Sequence, residues 1–278
     1  MMSKQAACSI FLLVLLITHR SFAQEQSYNH VKVDSLSAAQ TRATLNQIPT
    51  ENFQKRTYKQ QEQALPYRLL LPKNYDKTQK YPLIITFHNS ARIGNDNEKQ
   101  LEPLARIWLR DEIYNNYPCF VVAPHFNERS SNYSENKAGF LESKPTEQVN
   151  LVLGLLRQLE QEFPEIDKDR IYLVGYSMGA STAQNLLSLA PKKFAAMVSI
   201  AAVPDFSNLK AMKRKNILLI HGQKDDENPY RGSAELFSKL KGNPKATFIT
   251  FTELDHNTIN MPLLLTDQLP RWLFNQRR

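Results

Sequence analysis

Glycine is scarce in this chain, with eight in 278 residues, and cysteine is scarcer still, with two. So few glycines make any close pair of them informative. Cys8 precedes the long apolar stretch near the N-terminus instead of following it, which speaks against a lipoprotein anchor. Cys119 lies in an apolar, strand-like run, cannot form an intrachain disulfide once Cys8 is removed, and reads as a buried inert thiol. The apolar run Ala6 to Ile17 is too short for the ~20 residues that span a bilayer. No internal repeat, heptad pattern or low-complexity block is present. No nucleic-acid motif or aromatic-interleaved basic stripe accompanies the positive charge, so stable membrane insertion and nucleic-acid binding are not expected.

What is present begins with an export signal. Lys4 supplies a positive start, Ala6 to Ile17 the apolar core, and Ser21-Phe22-Ala23 a small-x-small cleavage site. Residues 1–23 are therefore expected to be a signal peptide, and the remainder periplasmic or secreted. Removing Lys4 and Arg20 with it leaves 33 basic and 27 acidic side chains, scattered as on a solvated basic surface. Residues 24–50 are polar and rich in Gln, Ser and Thr, and read as a flexible lead-in. Residues 51–278 are expected to form one catalytic domain.

Within that domain apolar runs alternate with helical patterns. Strands are expected at 54–58, 67–71, 83–88, 119–124, 171–176, 196–201, 217–221 and 247–251. Helices are expected at 99–114, 146–163, 178–189, 232–240 and 263–275; in the second, Val149, Leu153, Leu156, Leu159 and Phe163 make one apolar face. This alternation predicts an α/β fold, a mostly parallel eight-stranded sheet with helices on both faces and an antiparallel start. Only fifteen residues, Ala202 to Asn216, join the two strands between which a cap would be inserted, so no large cap domain is expected. The longer connections 89–99 and 126–145 should rim an open cleft at the carboxyl ends of the strands. The second carries Tyr133 and Phe140 in a polar setting, as aromatic platforms for a sugar-like substrate.

Two of the scarce glycines flank one serine, in Gly175-Tyr176-Ser177-Met178-Gly179, between a strand pattern and a helix pattern. A sharp strand-to-helix turn of this kind lifts a serine hydroxyl to the top of the sheet, as a nucleophile. The alternative is a glycine-flanked turn without chemistry. A nucleophilic serine needs a base, and in this topology the partners follow in the order Ser, Asp or Glu, His. Among histidines 19, 30, 88, 125, 221 and 256, only His256 lies far enough on. Asp225 and Asp226 both qualify as the acid by position; Asp225 is preferred, and Asp205 is a weaker choice. The oxyanion donors expected are the N–H groups of Met178 and Ser90, with Asn89 tolerating a left-handed turn. His88 and His221 end strands and read as structural. No cofactor or metal is called for.

The chain resembles the α/β-hydrolase superfamily, specifically its secreted bacterial "predicted peptidase" branch. That branch is close to feruloyl and acetyl-xylan esterases and to polyhydroxybutyrate-depolymerase-like esterases. The resemblance runs from Phe53 to the C-terminus. It rests on Leu65-Pro66-Tyr67-Arg68, Lys80-Tyr81-Pro82-Leu83-Ile84, Gly94-Asn95-Asp96-Asn97, Asp169-Arg170-Ile171-Tyr172, the Ser177 pentapeptide, His221-Gly222-Gln223-Lys224-Asp225-Asp226 and Asp255-His256-Asn257. It implies Ser177, Asp225 and His256 as the triad. Asn89 and Ala180 stand where the family usually has glycine. The activity implied is hydrolysis of carboxylic esters, favoured over peptides because no peptidase-specific domain is visible. Acylated polysaccharide is one candidate substrate, with acyl chains no longer than four to six carbons. A small-peptide serine peptidase, similar to prolyl oligopeptidases, and a non-catalytic hydrolase-fold binding protein are the competing readings.

Overall fold

The computed structural model describes residues 24–278. The expected signal peptide, residues 1–23, lies outside them. In chain order the strands are β1 (Glu25–Asn29), β2 (Phe53–Gln60), β3 (Gln63–Leu70), β4 (Tyr81–Phe87), β5 (Phe120–Pro124), β6 (Ser131–Glu135), β7 (Leu141–Pro145), β8 (Ile166–Tyr176), β9 (Ala196–Ile200), β10 (Asn216–Gly222) and β11 (Ala246–Phe251). The helices are α1 (Ser35–Asn46), α2 (Pro103–Arg106), α3 (Asp111–Asn116), α4 (Glu147–Glu162), α5 (Met178–Leu189), α6 (Leu209–Met212), α7 (Tyr230–Lys239), α8 (Met261–Leu264) and α9 (Gln268–Phe274).

One sheet runs in the order β1-β11-β10-β9-β8-β4-β5-β3-β2. From β1 through β5 every neighbouring pair is parallel, and the hairpin partners β3 and β2 add an antiparallel edge. All eight expected strands are there, and β1 makes a ninth.

That ninth strand corrects the reading of residues 24–50. β1 adds to the open edge at β11 from Glu25↔Thr247 to Asn29↔Phe251. α1 follows, capped by Asp34, whose side chain accepts from Ser37 N–H, and it buries Ala38 and Leu45. The expected helix over 99–114 is also broken. Pro103 opens α2, a 3₁₀ turn covers Ile107–Leu109, and α3 starts afresh at Asp111. The 126–145 connection holds the antiparallel ribbon β6–β7, which packs on α5.

Alternation along the central strands divides the core. Leu83, Ile85, Phe87, Leu173 and Leu219 face α4, α5 and α7, where Leu155, Leu186 and Leu236 meet them. Ile84, Val121, Val174 and Ile220 face the other way, against Trp108, Leu45, Leu264 and Leu273. Cys119 is buried on this second side, and burial pushes its thiol pKa far up, as suits an inert thiol. The carboxyl ends of the parallel strands therefore form a rigid shelf. Among the described residues, no helix is long and apolar enough to cross a membrane.

Candidate active site

Ser177 stands alone between β8 and α5, with φ 56° and ψ −123°, a conformation that non-glycine residues rarely adopt. The flanking glycines explain how the chain reaches it. A Cβ on Gly175 would lie 2.2 Å from the Gly179 carbonyl oxygen, and one on Gly179 would lie 2.2 Å from that of Phe87. The turn is thus pressed against the end of β4. Ser177 N–H also donates to Ile200 O at 2.9 Å, which ties the turn to β9.

His256 arrives from the loop after β11. Its Nε2 lies 2.9 Å from Ser177 Oγ and its Nδ1 lies 2.8 Å from Asp225 Oδ2. Tyr176 supports the loop, donating its hydroxyl to His256 O at 2.7 Å with its ring 5.1 Å from the imidazole. Both His256 and Asp225 are buried.

Asp225 is aimed by its own turn. Its Oδ1 accepts from the N–H groups of Glu227 and Asn228 at 3.1 and 2.8 Å, which closes an Asx-type turn. Its Oδ2 accepts from His256 and, at 3.1 Å, from His221 Nε2. His221 Nε2 also faces Asn228 O at 2.8 Å, so that nitrogen carries the proton and Nδ1 accepts from the Ser233 hydroxyl at 2.7 Å. Burial alone would raise the Asp225 pKa. Hydrogen bonds from His221, His256 and Asn228 outweigh it and hold the carboxyl well below the usual range. Asp226 is exposed, and Asp205 instead accepts from Asn185 Nδ2 and Ser207 N–H.

The loop after β4 departs from expectation. Asn89 has φ −77° and ψ 172°, ordinary extended backbone, so no left-handed turn is needed there. Its side chain holds the loop instead. Asn89 Oδ1 caps the following 3₁₀ turn by accepting from Ala91 N–H at 2.9 Å. The buried Glu102 carboxylate accepts from Asn89 N–H at 3.2 Å and from Asn89 Nδ2 at 2.8 Å. His88 Nδ1 donates to Asn89 O at 2.8 Å, while His88 Nε2 accepts from Phe126 N–H at 3.0 Å. Burial pulls the His88 pKa down to about 4, which keeps this imidazole neutral. Burial pushes Glu102 up to about 7, against the opposing effect of Arg92. Ser90 and Met178 each occupy the first position of a helical turn, where the N–H has no partner within its own helix. Glu102 carried no motif in the sequence. Its link to Asn89 spans thirteen residues of irregular chain.

Two cavities are formed among the loops at this end of the sheet. One of about 620 Å³ touches Asn89, Tyr176 and Asn257, the chain neighbours of Ser90, Ser177 and His256. The other, about 60 Å³, is lined by Phe140, Val203, Pro204 and Pro229. At the two aromatic residues of the β6–β7 ribbon, the Arg129 guanidinium lies 4.7 Å from the Tyr133 ring and that of Arg231 lies 5.5 Å from the Phe140 ring. Among the described residues, no group of three or more His, Cys, Asp or Glu side chains could hold a metal ion.

A parallel sheet wound in this order, with a serine elbow after its central strand, is the α/β-hydrolase fold. The family model for the alpha/beta hydrolase fold matches residues 140–227. A venom dipeptidyl peptidase 4 from Vespula vulgaris is 25% identical over 223 residues; the match covers 68% of this chain and 28% of the relative. Among solved structures, a thermostable esterase is 28% identical with a TM-score of 0.72, covering 82% of this chain and 64% of its own. An esterase of Pyrococcus furiosus shares the fold at 17% identity and a TM-score of 0.58, over 91% of this chain and all of its own. The chain thus spans just under two thirds of the thermostable esterase and less than a third of the venom peptidase.

Proposed function

We propose that this protein hydrolyses carboxylic esters with short acyl groups, through an acyl-enzyme on Ser177. The observation that carries the reading is the hydrogen-bond chain from Asp225 through His256 to Ser177 Oγ, with successive distances of 2.8 and 2.9 Å. With its Nδ1 proton held by Asp225, His256 presents a lone pair at Nε2 to the serine proton. Attack on the ester carbonyl forms a tetrahedral oxyanion, received by the N–H groups of Ser90 and Met178. His256 then gives its proton to the departing alcohol, and water repeats the sequence to free the acid.

Esters are preferred over amides because an alkoxide or phenoxide leaves with less help from the acid. In this reading the acyl group enters the cavity of about 60 Å³ between the loops after β9 and β10, well under the ~150 Å³ of an engineered apolar cavity that accepts benzene. The relation to a dipeptidyl peptidase favours a second reading, cleavage of small peptides. Against it, the larger cavity is lined by Arg42, Arg92, Lys99 and Arg106, a poor setting for a peptide ammonium.

The test compares p-nitrophenyl acetate, methyl ferulate, acetylated xylan and dipeptidyl amides as substrates. Turnover of esters, with fluorophosphonate labelling that disappears in Ser177→Ala along with about 10⁴- to 10⁶-fold of kcat, is expected. Amide turnover matching that of esters would replace the ester reading with the peptidase one. A Ser177→Ala variant that still labels would remove both.

A further inference from the structure

The 620 Å³ cavity lies within the ~300 to 1,000 Å³ range of sites for small molecules, and its polar lining is unevenly charged. Four cationic side chains line it, Arg42, Arg92, Lys99 and Arg106, against two carboxylates, Glu98 and Glu102. Their pairing decides what is left over. Glu98 is already held by Lys55 and Arg68, and Lys99 lies 3.3 Å from Asp96. Arg106 is spent on backbone, donating to the carbonyls of Leu101, Asn46 and Ile48. Glu102 is engaged by Asn89, and Arg92 Nε reaches it only at 3.7 Å with half of the arginine side chain exposed. Arg42 donates one N–H to Asn257 O at 2.7 Å, and among the described residues that carbonyl is its one hydrogen-bond partner. The guanidinium groups of Arg42 and Arg92 therefore keep donors to spare.

Asn260 lines this cavity as well, and its side chain is largely buried. With the acyl group assigned to the 60 Å³ cavity, the large polar one is left for the alcohol portion.

We propose that the alcohol portion of the substrate carries a carboxylate, which Arg42 and Arg92 receive in the 620 Å³ cavity; this deepens the ester-hydrolase reading and rests on it. A planar carboxylate matches the guanidinium fork, and two arginines give both attraction and orientation. Arg42 comes from α1, so the N-terminal segment outside the sheet's core supplies one wall of the specificity site. Substrates of this class are acyl esters of hydroxy acids, including acylated sugar acids.

Two measurements test this. The first is calorimetric binding of 4-hydroxybenzoate to the Ser177→Ala protein, alone and with Arg42→Gln or Arg92→Gln added. Tenfold or greater weakening by each arginine change is expected, with methyl 4-hydroxybenzoate far less affected. Equal binding of acid and methyl ester, or no effect of either change, overturns the proposal. Inorganic phosphate binding as tightly as the carboxylate overturns the choice of a carboxylate. The second is kcat/KM for 4-acetoxybenzoate relative to its methyl ester, and for p-nitrophenyl hemiglutarate relative to p-nitrophenyl pentanoate. The first ratio should fall at least tenfold in either arginine variant and on raising salt. A preference confined to the hemiglutarate would place the acid on the acyl side and refute the assignment. If the acid binds as expected but none of the four esters is turned over, the ester-hydrolase reading fails while the anion site stands.

Discussion

Replacing Asp225 with asparagine changes one oxygen to NH₂, and the geometry allows that group no good place. Oδ1 faces two backbone donors, the N–H groups of Glu227 and Asn228, and Oδ2 faces two ring donors, His256 Nδ1 and His221 Nε2. Either orientation of the amide turns its NH₂ toward two donors and loses two of four hydrogen bonds. If NH₂ faces the rings, His256 must shift its proton to Nε2, and the lone pair that should accept the serine proton is gone. If NH₂ faces the backbone, the turn that aims the side chain opens. His221 cannot relieve the first case, because its Nε2 proton is also held by Asn228 O. Each lost bond to a carboxylate is worth about 1.5–3 kcal/mol, partly offset by no longer burying a charge, so a net loss of about 2–4 kcal/mol is expected. Activity should fall about 10⁴-fold, as when a triad carboxylate is neutralised elsewhere. The depressed pKa of Asp225 adds a pH signature. Its contribution to stability is present above the ordinary carboxylate range near ~4 and is lost as pH falls below it, so the variant should show a flatter acid limb. The assay is kcat/KM on p-nitrophenyl acetate together with urea melts between pH 3 and 8, with Asp226→Asn as the exposed control. An Asp225→Asn enzyme within tenfold of the parent, or an Asp226→Asn enzyme equally damaged, would refute the reasoning.

Gly179→Ala drives a methyl group to within 2.2 Å of a backbone oxygen on β4; a loss of at least about 3 kcal/mol is expected in denaturant melts, together with loss of fluorophosphonate labelling. Glu102→Gln tests the grip on Asn89. The ionised carboxylate accepts both Asn89 donors more strongly than the protonated acid does, so kcat should rise through about pH 7 in the parent, and the variant should lose that component and about tenfold in kcat with little change in KM. The sign for stability is opposite. Because the folded pKa is raised, the parent loses stability as pH climbs from ~4.3 to about 7, and melts of the variant should lack that slope. Across p-nitrophenyl esters from acetate to palmitate, kcat/KM should peak at four carbons or fewer; a maximum at eight or more would show that the 60 Å³ cavity does not hold the acyl group.

The sequence by itself determined the features that depend on local pattern or on chain order. The central strands β4, β5, β8, β9 and β10 were visible because each carries a short apolar run, and strands buried on both faces need such runs. The elbow was visible because its geometry forbids side chains at Gly175 and Gly179, a demand written directly into residue identity. His256 was singled out by chain order alone. Tertiary structure decided the rest, because those features depend on partners distant in sequence. Asp225 and Asp226 are adjacent and chemically identical. Only the turn that offers the N–H groups of Glu227 and Asn228 to one of them settles which carboxylate meets His256. β1 is a polar, exposed strand that exists because β11 presents an open edge, and α1 buries only Ala38 and Leu45, too weak a stripe to read. Asn89 was expected to stand in for a glycine, through backbone freedom. It works instead through its side chain, held by a glutamate thirteen residues away, and only the folded loop brings those two together.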